Sequence, residues 1–153
     1  MIEITNPQGR LVSIRAVTPV TQEDTDDLVI QSARLFRPNE PRRVVAVDAR
    51  KLRVLTPAYA DRLALLMRND NPFTLRTAFL LPAKGDILDL QFSRLFLESD
   101  SQTRRTFRFP IELEQWLGQV LNAEEKQALS VFLHEEGSTL PPHEQTQGMM
   151  LDY

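Results

Sequence analysis

The chain has 153 residues, 42% of them hydrophobic and 25% charged, a composition that fits one globular domain burying about two-thirds or more of its unfolded surface. It has no cysteine, which excludes disulfides, thiolate metal sites and thiol nucleophiles. The net charge of −3 is uneven: 17 basic and 15 acidic residues lie between Met1 and Leu121, and one lysine faces six acids from Asn122 onward, so the nearly neutral body has no electrostatic footprint for nucleic acid.

Ile2 to Ile4 and Leu11 to Val17 alternate apolar and polar residues around the turn string NPQG, the pattern of a strand pair. Thr21 caps a helix, with Asp24 three residues on and acids through Asp27 suited to the positive end of the helix dipole. Leu28, Val29, Ala33, Leu35 and Phe36 form its apolar side, and Pro38 and Pro41 bound the loop that follows. Arg42 to Asp48, RRVVAVD, is a short strand whose unbroken apolar run implies burial on both faces.

Thr56 then precedes Pro57, a favoured first helical position, and Tyr59, Leu63, Leu66 and Met67 recur at helical spacing until NDNP. Leu75 to Leu81, LRTAFLL, is a second buried-type strand closed by Pro82. A helix runs from Asp86 to about Glu98, with Leu88, Phe92, Leu95 and Phe96 on one face. Arg104 to Phe109 alternates as a strand. Pro110 opens a helix whose Leu113, Trp116, Leu117, Val120 and Leu121 fit the i, i+3, i+4, i+7, i+8 template. Asn122 and Glu125 form a capping box for a last helix to about Glu135, and the tail from Gly137, GSTLPPHEQTQGMMLDY, has loop composition.

The predicted order is β-β-α-β-α-β-α-β-α-α. It specifies an α/β fold: a single mixed, mainly parallel sheet of about five strands covered by helices, opened by an antiparallel pair. The domain spans 1–121, and residues 122–153 form an extra C-terminal helix and tail that pack on the domain or on a neighbour. No apolar stretch nears the ~20 residues of a membrane span, and MIEITNPQGR has neither the basic start nor the apolar run of a signal peptide. A soluble cytoplasmic protein is expected.

Residue patterns for ordinary enzyme chemistry are missing. There is no G-x-S-x-G elbow, and five glycines at 9, 85, 118, 137 and 148 build neither a phosphate-cradling loop nor a dinucleotide fingerprint. His134 and His143 have no H-x-x-x-H partner or carboxylate cluster for a zinc site, so no metal and no cofactor is expected. Open α/β sheets bind ligands outside the carboxyl ends of their strands, which makes Asp48, Arg50, Thr56, Lys84 and Asp86 candidates for one rim. Asp48, Lys84 and Asp86 as an acid–base set define the enzymatic alternative; Asp86 as a helix cap and Lys84 as a solvated charge define the plain one. Arg104 and Arg105 are suited to a phosphate or carboxylate, or to guarding a strand edge. Trp116 is assigned to the core. Of 18 cations, 15 are arginine, the side chain that grips oxyanions in a fork; a GC-rich genome produces the same bias.

The strings MIEI, GRLVSIRAVTPVTQED, RRVVAVDAR, the threonine–proline helix start, LRTAFLL and RRTFRFPIELEQWL, over roughly residues 1–121, together resemble the SpoIIAA-like proteins of the STAS superfamily. The resemblance implies a small, generally non-enzymatic α/β domain. Better-known STAS members are anti-anti-sigma regulators or regulatory domains of transporters, and lipid or other apolar ligands are implied for some SpoIIAA-like proteins. In the regulatory members the phospho-acceptor opens the helix after the central strand, commonly within Asp-Ser-Ser-Gly. Thr56 is the matching position, although Leu55-Thr56-Pro57-Ala58 lacks the preceding aspartate and the following serine and glycine.

Three roles follow as expectations. The first is a regulatory or protein-interaction domain working through the rim at Thr56, with a protein partner and a homodimer through the tail. The second is a carrier or sensor of a small apolar or anionic ligand held between sheet and helices, lined by Leu63, Met67, Phe92 and Phe96. The third is the Asp48–Lys84–Asp86 enzyme.

Overall fold

A computed structural model describes residues 1–5 and 7–135. The tail with MMLDY, and His143, lie outside the described residues, and so does the dimer expected through that tail. The elements are β1 (Ile2–Ile4), β2 (Leu11–Val17), α1 (Gln22–Leu35), β3 (Arg43–Lys51), α2 (Pro57–Asp70), a 3-10 turn (Asn71–Phe73), β4 (Thr74–Leu80), α3 (Asp86–Glu98), β5 (Arg104–Phe107), α4 (Pro110–Gly118) and α5 (Ala123–His134).

The five strands form one sheet in the order β1-β2-β3-β4-β5. β1 runs antiparallel to β2, and every other neighbouring pair is parallel. The order is strictly sequential, so successive crossovers of one hand place α1, α2 and α3 on the same face of the sheet. α4 and α5 cover the other face. Two cores result. Ala16, Ala49, Phe79, Leu63, Met67 and Phe92 belong to the first. Leu11, Val44, Ala78, Leu113, Leu129 and Phe132 belong to the second. β3 lies in the middle, which is why its apolar run is unbroken.

Local chemistry sets the helix starts. Thr21 accepts from Asp24 N while Asp24 accepts from Thr21 N, at 3.1 and 2.8 Å; Asn122 and Glu125 reciprocate in the same way at the start of α5. Some expectations shift. β3 continues past Asp48 to Lys51, because β2 keeps it paired through Val17 after a register slip. β5 stops at Phe107, opposite Leu80, the last residue of β4. Asp86 is not the cap of α3: Gly85 holds that position without a side-chain bond, and Asp86 stands in the first turn. On α1 the buried stripe is Thr25, Leu28 and Ser32, while Val29 is 39% exposed and Ala33 is exposed, so two short polar residues outside the expected apolar side face the core and two of its members do not. Trp116 is half-buried, its ring flanked by the Arg76 and Arg105 guanidiniums at 4.8 and 5.0 Å.

α5 is fastened to the sheet at both ends. At its start, the buried Glu125 carboxylate accepts from Arg10 N at 2.7 Å and from Asn122 N at 2.9 Å. Gly9 in the β1–β2 turn makes room: its φ is +60°, and a Cβ there would stand 2.5 Å from Glu125 Oε2. At its end, Arg15 and Arg50 each donate an Nη2 hydrogen bond, both 2.8 Å, to the Phe132 and Leu133 carbonyls. Cations at a helix C-terminus also complement its dipole. Asp48 holds both arginines, with Arg50 Nε and Nη2 at 2.9 and 3.0 Å and Arg15 Nε at 3.4 Å.

Burial alone would raise the Asp48 carboxyl; the hydrogen bonds and charge of Arg50, with Arg15 behind them, outweigh it and hold the group below the usual carboxylate range. A lowered carboxylate stabilises the fold above its unfolded pKa and loses that contribution as pH falls through the native value. Asp48→Ala removes the buried carboxylate that Arg15 and Arg50 share and is expected to reduce stability at pH 7 by about 3–5 kcal/mol. In urea titrations the gap from the parent narrows as pH drops below about 4.

Candidate functional site

The rim at the carboxyl ends of the strands does not gather the five residues expected there. Asp48 is 2% exposed and points to the α5 face, where Arg15 and Arg50 take its oxygens. Among the described residues, neither Lys84 nor Asp86 shares a hydrogen bond or ion pair with it. Arg50 and Lys84 line one open depression, with Lys51 and Arg53. Thr56 opens a different groove, between the starts of α1 and α2, beside Thr21 and Arg62. Its hydroxyl accepts from Tyr59 N at 3.3 Å, a side-chain cap on α2 worth about 1 kcal/mol. A sequential strand order has no point where it reverses, and that reversal is what opens a crevice at the carboxyl ends of doubly wound sheets.

Arg104 and Arg105 are neighbours in β5, so their side chains leave opposite faces of the sheet. Arg105 is exposed and lies over Trp116. Arg104 is 7% exposed and turns inward beneath α2.

There it meets the cavity of this fold. A space of about 70 Å³ lies between the sheet and the α1–α2–α3 layer. Its walls are mainly apolar, with Val45, Val47 and Phe79 from the sheet and Leu63, Met67 and Phe92 from the helices. Three of the four residues expected to line a ligand space are thus on its wall. The fourth, Phe96, packs on the same core, with ring centroids 5.8 Å from Phe79 and 6.1 Å from Phe92. The space exists because small residues face one another: Ala16 and Ala49 on the sheet and Ser32 on α1.

One end of the cavity is polar and is built by Asp70, Thr74, Thr77 and Arg104. Thr77 and Arg104 are register partners across β4 and β5, so they project side by side. The Arg104 hydrogen bonds leave from Nη1 alone, to Asn71 Oδ1 and, at 2.9 Å, to Ser101 Oγ. Among the described residues, the buried side-chain nitrogen and oxygen atoms with no hydrogen-bond partner are Arg104 Nε and Thr77 Oγ1. Buried polar atoms are almost always paired, and here the two exceptions are neighbours in one cavity.

Asp70 forms neither a hydrogen bond nor an ion pair among the described residues. Burial pushes its carboxyl up to about 7, partly opposed by the Arg104 charge. Burial likewise lowers Arg104 to about 10, opposed by Asp70. At the other end Tyr59 lines both this cavity and the groove at Thr56; burial, then the charge of Asp24, pushes its phenol up to about 12.

Asp70 and Thr77 were not among the sequence candidates. The signal for Thr77 was a polar residue inside LRTAFLL, two positions before Phe79 and therefore on the same strand face. Asp70 read only as part of a helix stop. Among the described residues no three His, Cys, Asp or Glu side chains group as a metal site, and no helix is long and apolar enough to cross a membrane. Comparison with protein-family models, with curated proteins and with solved structures finds no match.

The raised Asp70 carboxyl has a consequence for stability. Between about pH 4 and about pH 7 the native state holds a proton that the unfolded chain releases, so stability falls as pH rises across that window and levels off above it. Asp70→Asn removes this slope. The variant is expected to match the parent near pH 4 and to exceed it by about 1–2 kcal/mol at pH 8, a figure kept small because the carboxyl retains water contact. Urea denaturation at pH 4, 6 and 8 reads the difference.

Proposed function

We propose that the chain is a non-catalytic ligand-binding domain, a sensor or carrier that takes a small apolar molecule between its sheet and the α1–α2–α3 layer. The observation that carries this reading is the apolar cavity with a polar end, in a core where the opposite face is filled by Leu, Ala and Phe side chains. The free space of about 70 Å³ is about half of the ~150 Å³ that accepts benzene in an engineered core. A guest therefore enlarges the cavity by moving wall residues. Met67 suits that role, since its unbranched thioether side chain repacks readily.

Native mass spectrometry of freshly purified protein tests the reading. The expected spectrum contains a non-covalent adduct that acidified solvent releases. Ser32→Leu, which fills the cavity from α1, is expected to keep the fold and lose the adduct. An unliganded mass for the parent, or an undiminished adduct on folded Ser32→Leu, counts against binding in this cavity.

A second reading, a regulatory or protein-interaction domain switched at Thr56, is supported by one feature. The Thr56 hydroxyl is exposed at a helix start, where unpaired N–H groups and the dipole favour a phosphate. The protein is expected to acquire phosphate at Thr56 when incubated with ATP and lysate kinases. Absence of that phosphate, together with normal partner capture by Thr56→Ala, would remove this reading.

A further inference from the structure

We infer that the polar end of the cavity is a carboxylate seat, and that the guest is a small apolar monocarboxylic acid whose head group bonds Arg104 and Thr77. The inference rests on the ligand-binding reading and names its ligand class.

Three observations converge. First, the unpaired polar atoms are donors of the right kind. Arg104 spends Nη1 on Asn71 and Ser101, which fixes the guanidinium plane and leaves the edge carrying Nε and Nη2 toward other partners. Nε has none. Two parallel N–H groups on that edge match the two oxygens of a carboxylate. Thr77 Oγ1, unpaired on the adjacent strand, supplies a further O–H to the same head group.

Second, the charge arrangement asks for one negative charge and no more. Arg104 is 7% exposed, yet no carboxylate lies within ion-pair distance of it among the described residues; the oxygens it touches are the neutral ones of Asn71 and Ser101. Asp70 acts on it through space without an ion pair, and a buried cation so weakly countered is expensive. Asp70 lines the same end but forms no ion pair with it, and its raised carboxyl leaves it largely neutral in mildly acidic solution. An acid on the same wall disfavours each further negative charge, so one anionic head group fits beside Asp70 better than a dianion such as a phosphate monoester.

Third, this arginine stands apart from those that fasten one element to another through a backbone carbonyl. Arg10, Arg15, Arg43, Arg50, Arg68 and Arg76 all donate to backbone carbonyls of neighbouring elements. Each is accounted for by joining two elements. Arg104 faces an apolar space, and the remainder of that space suits an aliphatic or aromatic tail.

Isothermal titration calorimetry of the full chain with hexanoate, hexan-1-ol and hexyl phosphate tests the inference. Hexanoate is expected to bind at least tenfold more tightly than hexan-1-ol, with hexyl phosphate weaker than hexanoate. Arg104→Met is expected to erase the preference for the acid while keeping the alcohol. Thr77→Val, nearly isosteric and safer for the fold, is expected to weaken hexanoate several-fold and leave hexan-1-ol unchanged. Equal affinity for acid and alcohol, or an unaltered acid preference in Thr77→Val and in folded Arg104→Met, overturns the carboxylate seat and leaves the apolar cavity reading standing. Tighter binding of hexyl phosphate overturns the choice of a monoanion. Binding of none of the three, with an unliganded native mass, overturns the cavity reading as well.

Discussion

Two buried carboxylates hold the molecule's second layer in place. Glu125 ties the start of α5 to the β1–β2 turn, and Asp48 presents two arginines to the carbonyls at its end. Ion pairs taken out of water stabilise little unless their remaining donors and acceptors are also satisfied. Both pairs meet that condition: Asp48 accepts from the Arg50 backbone N–H and guanidinium, and Glu125 accepts two backbone N–H groups with the Arg10 guanidinium 3.8 Å away. The apolar side of α5, with Leu129, Phe132 and Leu133, is thereby held at one position along β2 and β3. Hydrophobic burial drives the contact and is non-directional; the ionic ends supply its register.

The same device recurs across the fold. Arg43 reaches the Leu35 carbonyl at the end of α1 at 3.0 Å, Arg76 reaches the Trp116 carbonyl at the end of α4 at 2.6 Å, and Arg108 reaches the Ala83 carbonyl at 2.7 Å. Helix ends and loop turns leave carbonyls without partners, and arginine, with five donors and a permanent charge, serves several at once. The high arginine content therefore has a structural use. Arg104 shares the inward placement without the saturated bonding, and that difference separates a fastening from a site.

The two faces of the sheet differ in the same sense. Under α4 and α5 the sheet offers Leu11, Val44, Ala46, Ala78 and Leu80, and the helices answer with leucines and Phe132. Under α1, α2 and α3 the aromatic cluster of Phe79, Phe92 and Phe96 fills the side toward α3. The side toward α1 is lined by Ala16, Ala49 and Ser32, which leave space. Close packing is the rule in protein interiors, so a void beside two unpaired polar atoms is a local departure from the pattern that the rest of the chain keeps. Tyr59 lines both that void and the groove at Thr56.

The sequence by itself determined the elements and their order. Caps at Thr21, Thr56 and Asn122, prolines at 57 and 110, and the apolar runs at residues 44–47 and 78–81 act within a few residues of themselves, so they are legible without knowing what packs against them. It also singled out Arg104 and three walls of the cavity, because long arginines and helical apolar stripes have recognisable spacing. Only the tertiary structure decided which face each residue serves. Arg104 and Arg105 read as a pair until strand alternation sent them to opposite layers. Asp48 read as a rim acid until the end of α5, bonded to Arg50 from 83 residues away in the chain, covered it. Thr77 and Asp70 became a site only when β4, β5 and the end of α2 met. A cavity is a property of what several segments fail to fill together, and no single segment of sequence encodes that sum.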